Sequence, residues 1–214
     1  MISQPVPAPL LKRVVDKVVA GSLLLLTLPG SALAVAAIAG DALVCARDRG
    51  PILYRERRIS RGREFALLKF RTVRRDALGG QAGGEAHARL LEADAANLTW
   101  AGRRVLKPWY LDELPQLLNV LRGDISLVGP RPWPPSMVEA QVAAGLEYRN
   151  VIAAGLTGPA QVRKDAEVAG GHTALDLAYV EACRTRPAVQ LVRYDFSILW
   201  ETVKLIARGE GLNY

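Results

Sequence analysis

Val18 to Gly40 (VVAGSLLLLTLPGSALAVAAIAG) holds no charged residue. It is long enough to cross a bilayer, which takes about 20 apolar residues. Pro29 and Gly30 interrupt it near the middle. Proline removes a backbone donor and its ring clashes with the preceding turn, so the run reads as two half-helices of about 11 residues, roughly 16 Å each. Three readings follow: a spanning helix, a cleaved leader with Ala32-Leu33-Ala34 as its small-residue site, or a re-entrant hairpin that enters and leaves one membrane face. Both flanks are basic. Lys12, Arg13 and Lys17 precede the run, and Arg47 to Arg75 holds 11 basic residues against Asp48, Glu56 and Glu64. Positive flanks stay on the cytoplasmic side, and a spanning helix satisfies only one of them.

The remaining chain is the size of one ordinary domain. Half of the 214 residues are hydrophobic but only 13 are aromatic, so the core rests on Leu, Val and Ala. A net charge of +7 points to an anionic partner. Cys45 and Cys183 are far apart with no CxxC, and His87 and His172 are too few for a His-based metal site. The spacing predicts a small β element over 52–70, joined by a basic turn from Arg57 to Arg63. A Gly-rich stretch follows at 76–84, then a short helix at 85–96. Leucines 111, 114, 117, 118 and 121 recur at helical spacing, with Pro115 in the first turn. Residues 134–148 read as a helix, 153–162 as a turn-rich loop, and 175–183 and 194–208 as helices. The last is amphipathic and suits either the core or a membrane surface. The expected fold is α+β and mostly helical.

Asp112 and Glu113 fall at or just before a helix N-terminus. One carboxylate there is explained by capping, worth about 0.5–2 kcal/mol. Two, followed by Gly129-Pro130-Arg131-Pro132, are not. An ionised carboxylate at such a place serves as nucleophile or Mg²⁺ ligand, and Mg²⁺ uses one or two carboxylates plus substrate phosphates. Arg131, flanked by prolines, is pre-oriented to grip phosphate. These features suggest phosphoryl chemistry on a lipid. A membrane-anchored basic module binding anionic lipid or nucleic acid would explain the charge and the apolar run, but leaves the dyad and the arginine turn to capping and turn geometry.

The stretch LDELPQLLNVLRGDISLVGPRP resembles the signature of the bacterial sugar transferases, the small monotopic phosphoglycosyl transferases. Other pieces agree in order: Lys12-Arg13-Val14-Val15-Asp16, the Pro29-broken apolar segment, Gly50-Pro51 with Arg57, Lys69-Phe70-Arg71-Thr72, and Gly155-Leu156-Thr157-Gly158 with Ala160-Gln161-Val162. The resemblance covers residues 11 to 208. It implies transfer of sugar 1-phosphate from a UDP-sugar to polyprenyl phosphate, releasing UMP, in the first membrane step of glycan assembly. It implies Asp112 as nucleophile, Glu113 as the Mg²⁺-associated acid with Asp112 as the second candidate ligand, and Arg131, Arg57, Lys69, Arg71 and Lys107 as phosphate-binding candidates. It favours the re-entrant hairpin (residues 1–40), anchored by Lys12, Arg13, Asp16 and Pro29, with amphipathic helices at the interface. The catalytic part (41–214) then works on the cytoplasmic face of the bacterial inner membrane, with membrane lipid and not nucleic acid as its surroundings. Departures fall at Leu28, Arg55, Ile59-Ser60, Lys107, Ala153-Ala154 and Arg163, and bear on which nucleotide and sugar are taken. Without a multi-span N-terminal region, the chain is expected to be a minimal catalytic form.

Overall fold

The structure is a computed structural model that describes residues 4–78, 91–163 and 170–209. Most of the Gly-rich stretch, the first part of the helix expected at 85–96, and His87 lie outside the described residues. The chain divides into two compact units. The first comprises Met1–Ala20, Arg58–Phe65 and Val120–Tyr214; the second comprises Gly21–Arg57 and Ala66–Asn119. Secondary structure is mostly helical, as expected, with two small sheets, of which only the hairpin around 52–70 was expected.

The apolar run forms two helices, α1 (Leu10–Leu26) and α2 (Leu28–Val44), bent by 57°. No single described helix is long and apolar enough to cross a membrane, though the bent pair passes that test together. The break falls at Thr27, and Pro29 sits in the first turn of α2. This places the break two residues earlier than the proline itself. The reason is that a proline ring clashes with the carbonyl four residues back and tolerates only the first turn of a helix. Near the end of α1, Leu23 O accepts both the Thr27 backbone N–H at 2.9 Å and its hydroxyl at 2.7 Å.

In the second unit, strands β1 (Leu53–Ser60) and β2 (Arg63–Phe70) start and end a hairpin whose tip belongs to the first unit. Its turn is narrower than the basic segment expected: only Arg61 and Gly62 lie outside the strands, both at positive φ, as a two-residue hairpin turn requires. Ala34 and Ile38 of α2 pack with Phe70, Ala101 and Leu106. Leu106 is fully buried, a burial worth about 1.5–3 kcal/mol. Asp41, buried near the end of α2, accepts the Ala101 backbone N–H at 2.6 Å. This satisfies a donor at the start of the next helical segment, as a cap does.

In the first unit, β3 (Ser126–Val128) pairs in parallel with β4 (Gly155–Thr157), in register Ser126 with Gly155 and Val128 with Thr157. Residues 153–162, read as a loop, therefore hold a strand and a short helix, Pro159–Val162. Three residues of strand are too few for periodicity to register. A Cβ on Gly155 would lie 2.1 Å from Gly129 N, so only glycine permits this approach. The helix expected at 134–148 is two pieces, Pro135–Ala143 and Tyr148–Val151, separated at Gly145 with φ +84°. Two longer helices follow, Gly171–Thr185 and Ala188–Ala207. The second starts just after Pro187, several residues earlier than its apolar stripe indicated. Cys45 and Cys183 are both free.

Candidate functional site

The acidic pair sits in the second unit on a 3₁₀ turn, Leu111–Glu113, ahead of the helix Gln116–Arg122. Pro115 precedes that helix, so the dyad is just outside it. Two backbone irregularities lead into the turn. Residues Gly102–Leu106 form a π-helical segment, closed by Lys107 N–H to Gly102 O at 3.0 Å. Tyr110 then takes a left-handed conformation, φ +54°. Both are unusual for the residues involved, and such departures concentrate at functional sites. The turn is backed by α2: a Cβ on Gly30 would meet Leu111 Cδ2 at 3.3 Å and Leu114 Cδ1 at 3.8 Å. The bend of the apolar pair thus packs directly on the residues flanking the dyad.

Asp112 is 3 % exposed and Glu113 half-buried. Lys107 Nζ lies 3.2 Å from Asp112 Oδ2 and 2.5 Å from Glu92 Oε2. Glu92 Oε1 accepts the Thr72 hydroxyl at 2.6 Å. One ammonium therefore bridges two carboxylates, with Thr72 of the Lys69-Phe70-Arg71-Thr72 segment closing the network. A Cβ on Gly102 would come 2.3 Å from Thr72 O, so glycine lets this segment approach.

Charge is unequally shared. Burial pushes the Asp112 carboxyl up to about 6; Lys107 and Lys69 pull it down, while Glu113 and Glu92 push it further up. Burial also works against Glu92, but Lys107, the Thr72 hydroxyl and Lys69 outweigh it and hold that acid below its ordinary value. Burial lowers Lys107, yet Asp112 and Glu92 leave it raised overall. The result is a firmly ionised Glu92–Lys107 pair beside a carboxylate that titrates near neutrality.

Asp112 and Glu113 offer oxygen donors of the kind Mg²⁺ prefers, and a cation there would offset the repulsion from Glu113 and Glu92 that adds to burial in raising Asp112. Among the described residues no group of three or more such side chains is gathered around one point. Protein ligation would thus be limited to one or two carboxylates, leaving coordination positions for substrate phosphates and water.

The other expected site residues are distributed as follows. Lys69 pairs with the buried Glu56 at 3.4 Å. Arg57 is exposed on β1. Arg71 is 2 % exposed, and its three guanidinium nitrogens donate to the backbone carbonyls of Pro51, Val73 and Asp48. This sets Arg71 apart from the other basic candidates: it ties the chain before β1 to the chain after β2 rather than presenting itself to a ligand. In the first unit, Lys12 is buried against Asp195 at 2.6 Å and Asp16 at 3.8 Å, and Ser126 Oγ donates to Asp16 at 2.6 Å. Arg13 is exposed. Arg131, half-buried, follows Gly129, whose N–H donates to Thr157 O at 2.9 Å, and Pro130, whose carbonyl accepts Gly155 N–H at 2.8 Å.

Sequence reading missed Asp41, Glu56, Glu92 and Asp195. Glu56, Glu92 and Asp195 sit in unremarkable local contexts, and each pairs with a basic residue outside its own element. Only Asp41 carried a signal, as a charge inside an otherwise apolar helix.

The family model of the bacterial sugar transferases matches residues 8–209. The UDP-glucose:undecaprenyl-phosphate glucose-1-phosphate transferase of Caulobacter vibrioides is 36% identical over 207 residues, covering 92% of this chain and 67% of the relative. The undecaprenyl-phosphate galactose phosphotransferase of Salmonella typhimurium is 32% identical over 182 residues, 77% of this chain but 35% of the relative. The exopolysaccharide production protein ExoY of Rhizobium meliloti is 35% identical over 177 residues, 72% of this chain and 77% of the relative. Two of these relatives are named as transferring a sugar phosphate onto undecaprenyl phosphate, and with the family match they make the chain a phosphoglycosyl transferase. The chain belongs to the bacterial sugar transferase family.

Proposed function

We propose that this chain transfers sugar 1-phosphate from a UDP-sugar to polyprenyl phosphate, undecaprenyl phosphate in bacteria, releasing UMP and initiating assembly of a glycan such as an exopolysaccharide. The observation that carries this reading is Asp112: a buried carboxylate 3.2 Å from Lys107, titrating near 6 and so largely ionised at neutral pH. The names of the relatives support the donor and acceptor classes.

The chemistry balances in two steps. An Asp112 oxygen attacks the phosphorus that bears the sugar. The bond to the bridging oxygen breaks, UMP leaves with the electron pair, and an aspartyl phosphosugar remains. A phosphate oxygen of the polyprenyl acceptor then attacks the same phosphorus and frees the carboxylate. Splitting one transfer into two lowers each barrier. Lys107, held by Glu92, stands beside the attacking oxygen and orients it. Lys69, Arg131 and Arg57 are proposed to offset diphosphate charge. Mg²⁺, held by Glu113 and Asp112, would supply Lewis-acid stabilisation of the phosphoryl oxygens.

The proposed topology is re-entrant, with residues 1–40 entering one leaflet and 41–214 on the cytoplasmic face of the inner membrane. Leu25, Leu26, Leu28 and Leu33 at the bend are more than half exposed, as are Trp100 and Trp109 beside Arg103 and Arg104, a pattern that suits lipid and headgroups. Phe196, Trp200 and Val203 make an exposed apolar stripe on the last described helix, which suits an interfacial position. Arg13 would face headgroups, while Lys12 and Asp16 anchor the hairpin through their buried pairs.

The test is UMP release from a panel of UDP-sugars by the nanodisc-reconstituted chain with polyprenyl phosphate. Release with at least one donor, abolished by EDTA, is expected. No release with any donor would refute the reading.

A further inference from the structure

One cluster of buried charge has no part in that reaction. Arg149 is 5 % exposed, Asp176 1 % and Tyr148 1 %. Arg149 Nη2 donates to Asp176 Oδ2 at 3.0 Å, and the Tyr148 hydroxyl donates to the same oxygen at 3.0 Å. Arg149 Nη1 donates to the backbone carbonyl of Arg131. Its guanidinium lies 3.9 Å from the centroid of the Trp133 ring.

These contacts converge on the turn that carries Arg131. Its first half is fixed by the sheet, through Gly129 and Pro130. Its second half leaves the sheet, and Pro132 and Pro134 have no N–H to hold it. Arg149 supplies what is missing. It holds the turn by a charge-assisted hydrogen bond at Arg131 and by stacking at Trp133, whose carbonyl also accepts Ile59 N–H at 2.9 Å. Stability alone does not account for the pair. Arg149 Nε and Asp176 Oδ1 are buried without a hydrogen-bond partner among the described residues. A buried, incompletely satisfied ion pair is often no more stabilising than apolar residues of the same size. What apolar residues do not do is set the direction of the Arg131 backbone. Among the described residues, no carboxylate pairs with the Arg131 guanidinium, which leaves that group to an anionic ligand.

We infer that Arg149 is a positioning residue: held by Asp176, it fixes the backbone of the turn from which the Arg131 guanidinium binds a diphosphate. This rests on the reading of Arg131 as a phosphate ligand.

The experiment measures binding of Mg²⁺–UDP to the full chain in nanodiscs by calorimetry, with thermal unfolding of each variant alongside. Arg131→Ala should weaken binding about tenfold, the scale of one lost hydrogen bond to a charged group. Arg149→Met and Asp176→Asn should each weaken it by a similar factor. The double variant Arg131→Ala/Arg149→Met should bind no worse than Arg131→Ala, within about twofold, because both act through one contact. Arg149→Lys keeps the charge beside Asp176 but not the fork, so it should recover thermal stability without recovering UDP binding. If Arg149→Met does not fold, Asp176→Asn, alone and combined with Arg131→Ala, makes the same comparison. Losses that multiply in the double variant, or Arg149 and Asp176 variants that bind like wild type while Arg131→Ala does not, overturn the positioning role and leave the phosphate reading intact. Wild-type affinity in Arg131→Ala, or no UDP binding by the unaltered chain, removes the phosphate reading and this inference with it.

Discussion

Two lysines in this molecule each bridge a pair of carboxylates, and they do opposite things. Lys12 sits between Asp195 and Asp16 in the first unit; Lys107 sits between Glu92 and Asp112 in the second. Around Lys12 the remaining valences are filled. Tyr179 donates to Asp195 at 2.7 Å, Ser126 to Asp16, and Lys12 also reaches Val128 O. The lysine is 5 % exposed, and the cluster joins the start of α1 to the last helix. Around Lys107 there is one acid too many, because Glu113 adjoins Asp112, and a third of the lysine side chain is open to solvent. A satisfied triad locks structure. A triad with surplus charge and an opening leaves one carboxylate free for the role proposed for Asp112.

The sharpest way to break this contrast is a pair of substitutions. Asp112→Asn should reduce UMP release by about 10⁴-fold or more, the scale of removing a nucleophile. It should not lower the melting temperature, because a buried carboxylate with a raised pKa is itself a burden on the fold at neutral pH. Lys12→Met should do the reverse. Leaving Asp195 buried without its ammonium costs about 3–5 kcal/mol, or about 10 °C in melting temperature for a chain of this size. Equal thermal losses in the two variants would erase the distinction.

A smaller effect tests how the second cluster is assembled. Gly102→Ala places a Cβ 2.3 Å from Thr72 O, so the segment carrying Thr72 must move away from Glu92. A cost of about 1–3 kcal/mol in denaturant unfolding is expected, with activity falling alongside. The smallest effect is in pH. In the proposed mechanism the attacking group is the ionised Asp112, so kcat/KM for the UDP-sugar should rise with pH and level off above about 6. Lys107→Met removes the largest influence that lowers this pKa and should move the profile to higher pH. For stability the sign is opposite. The folded carboxyl lies above its ordinary value of 3.8, so its favourable contribution is complete below that value and is lost as pH rises through about 6.

Local signals carried far in this sequence. The uncharged run with an internal proline showed two helices, though each runs 17 residues, past the uncharged run into its flanks, and Asp112-Glu113 before a leucine-rich helix with Arg131 in a proline turn marked the candidate site. Those features are contiguous, so a single strand of text records them. The parallel pairing of β3 with β4 and the acids that partner the lysines were not legible. Lys12 meets Asp195 across 183 residues and Lys107 meets Glu92 across 15, and no local pattern singles out one acid among the 21 in the chain. Arg71 shows the converse. Its place in Lys69-Phe70-Arg71-Thr72 suggested a ligand, but burial and backbone carbonyls claim its nitrogens. Sequence named the chemical group; only the fold decides whether that group is available.

In the proposed mechanism Asp112 becomes covalently loaded. Intact-mass measurement of the detergent-solubilised protein, mixed with Mg²⁺ and a panel of UDP-sugars without acceptor lipid, tests it most directly. A mass gain of one sugar phosphate with a single donor, absent in Asp112→Asn, is expected. Unchanged mass with every donor, while UMP is still released once polyprenyl phosphate is added, would contradict it.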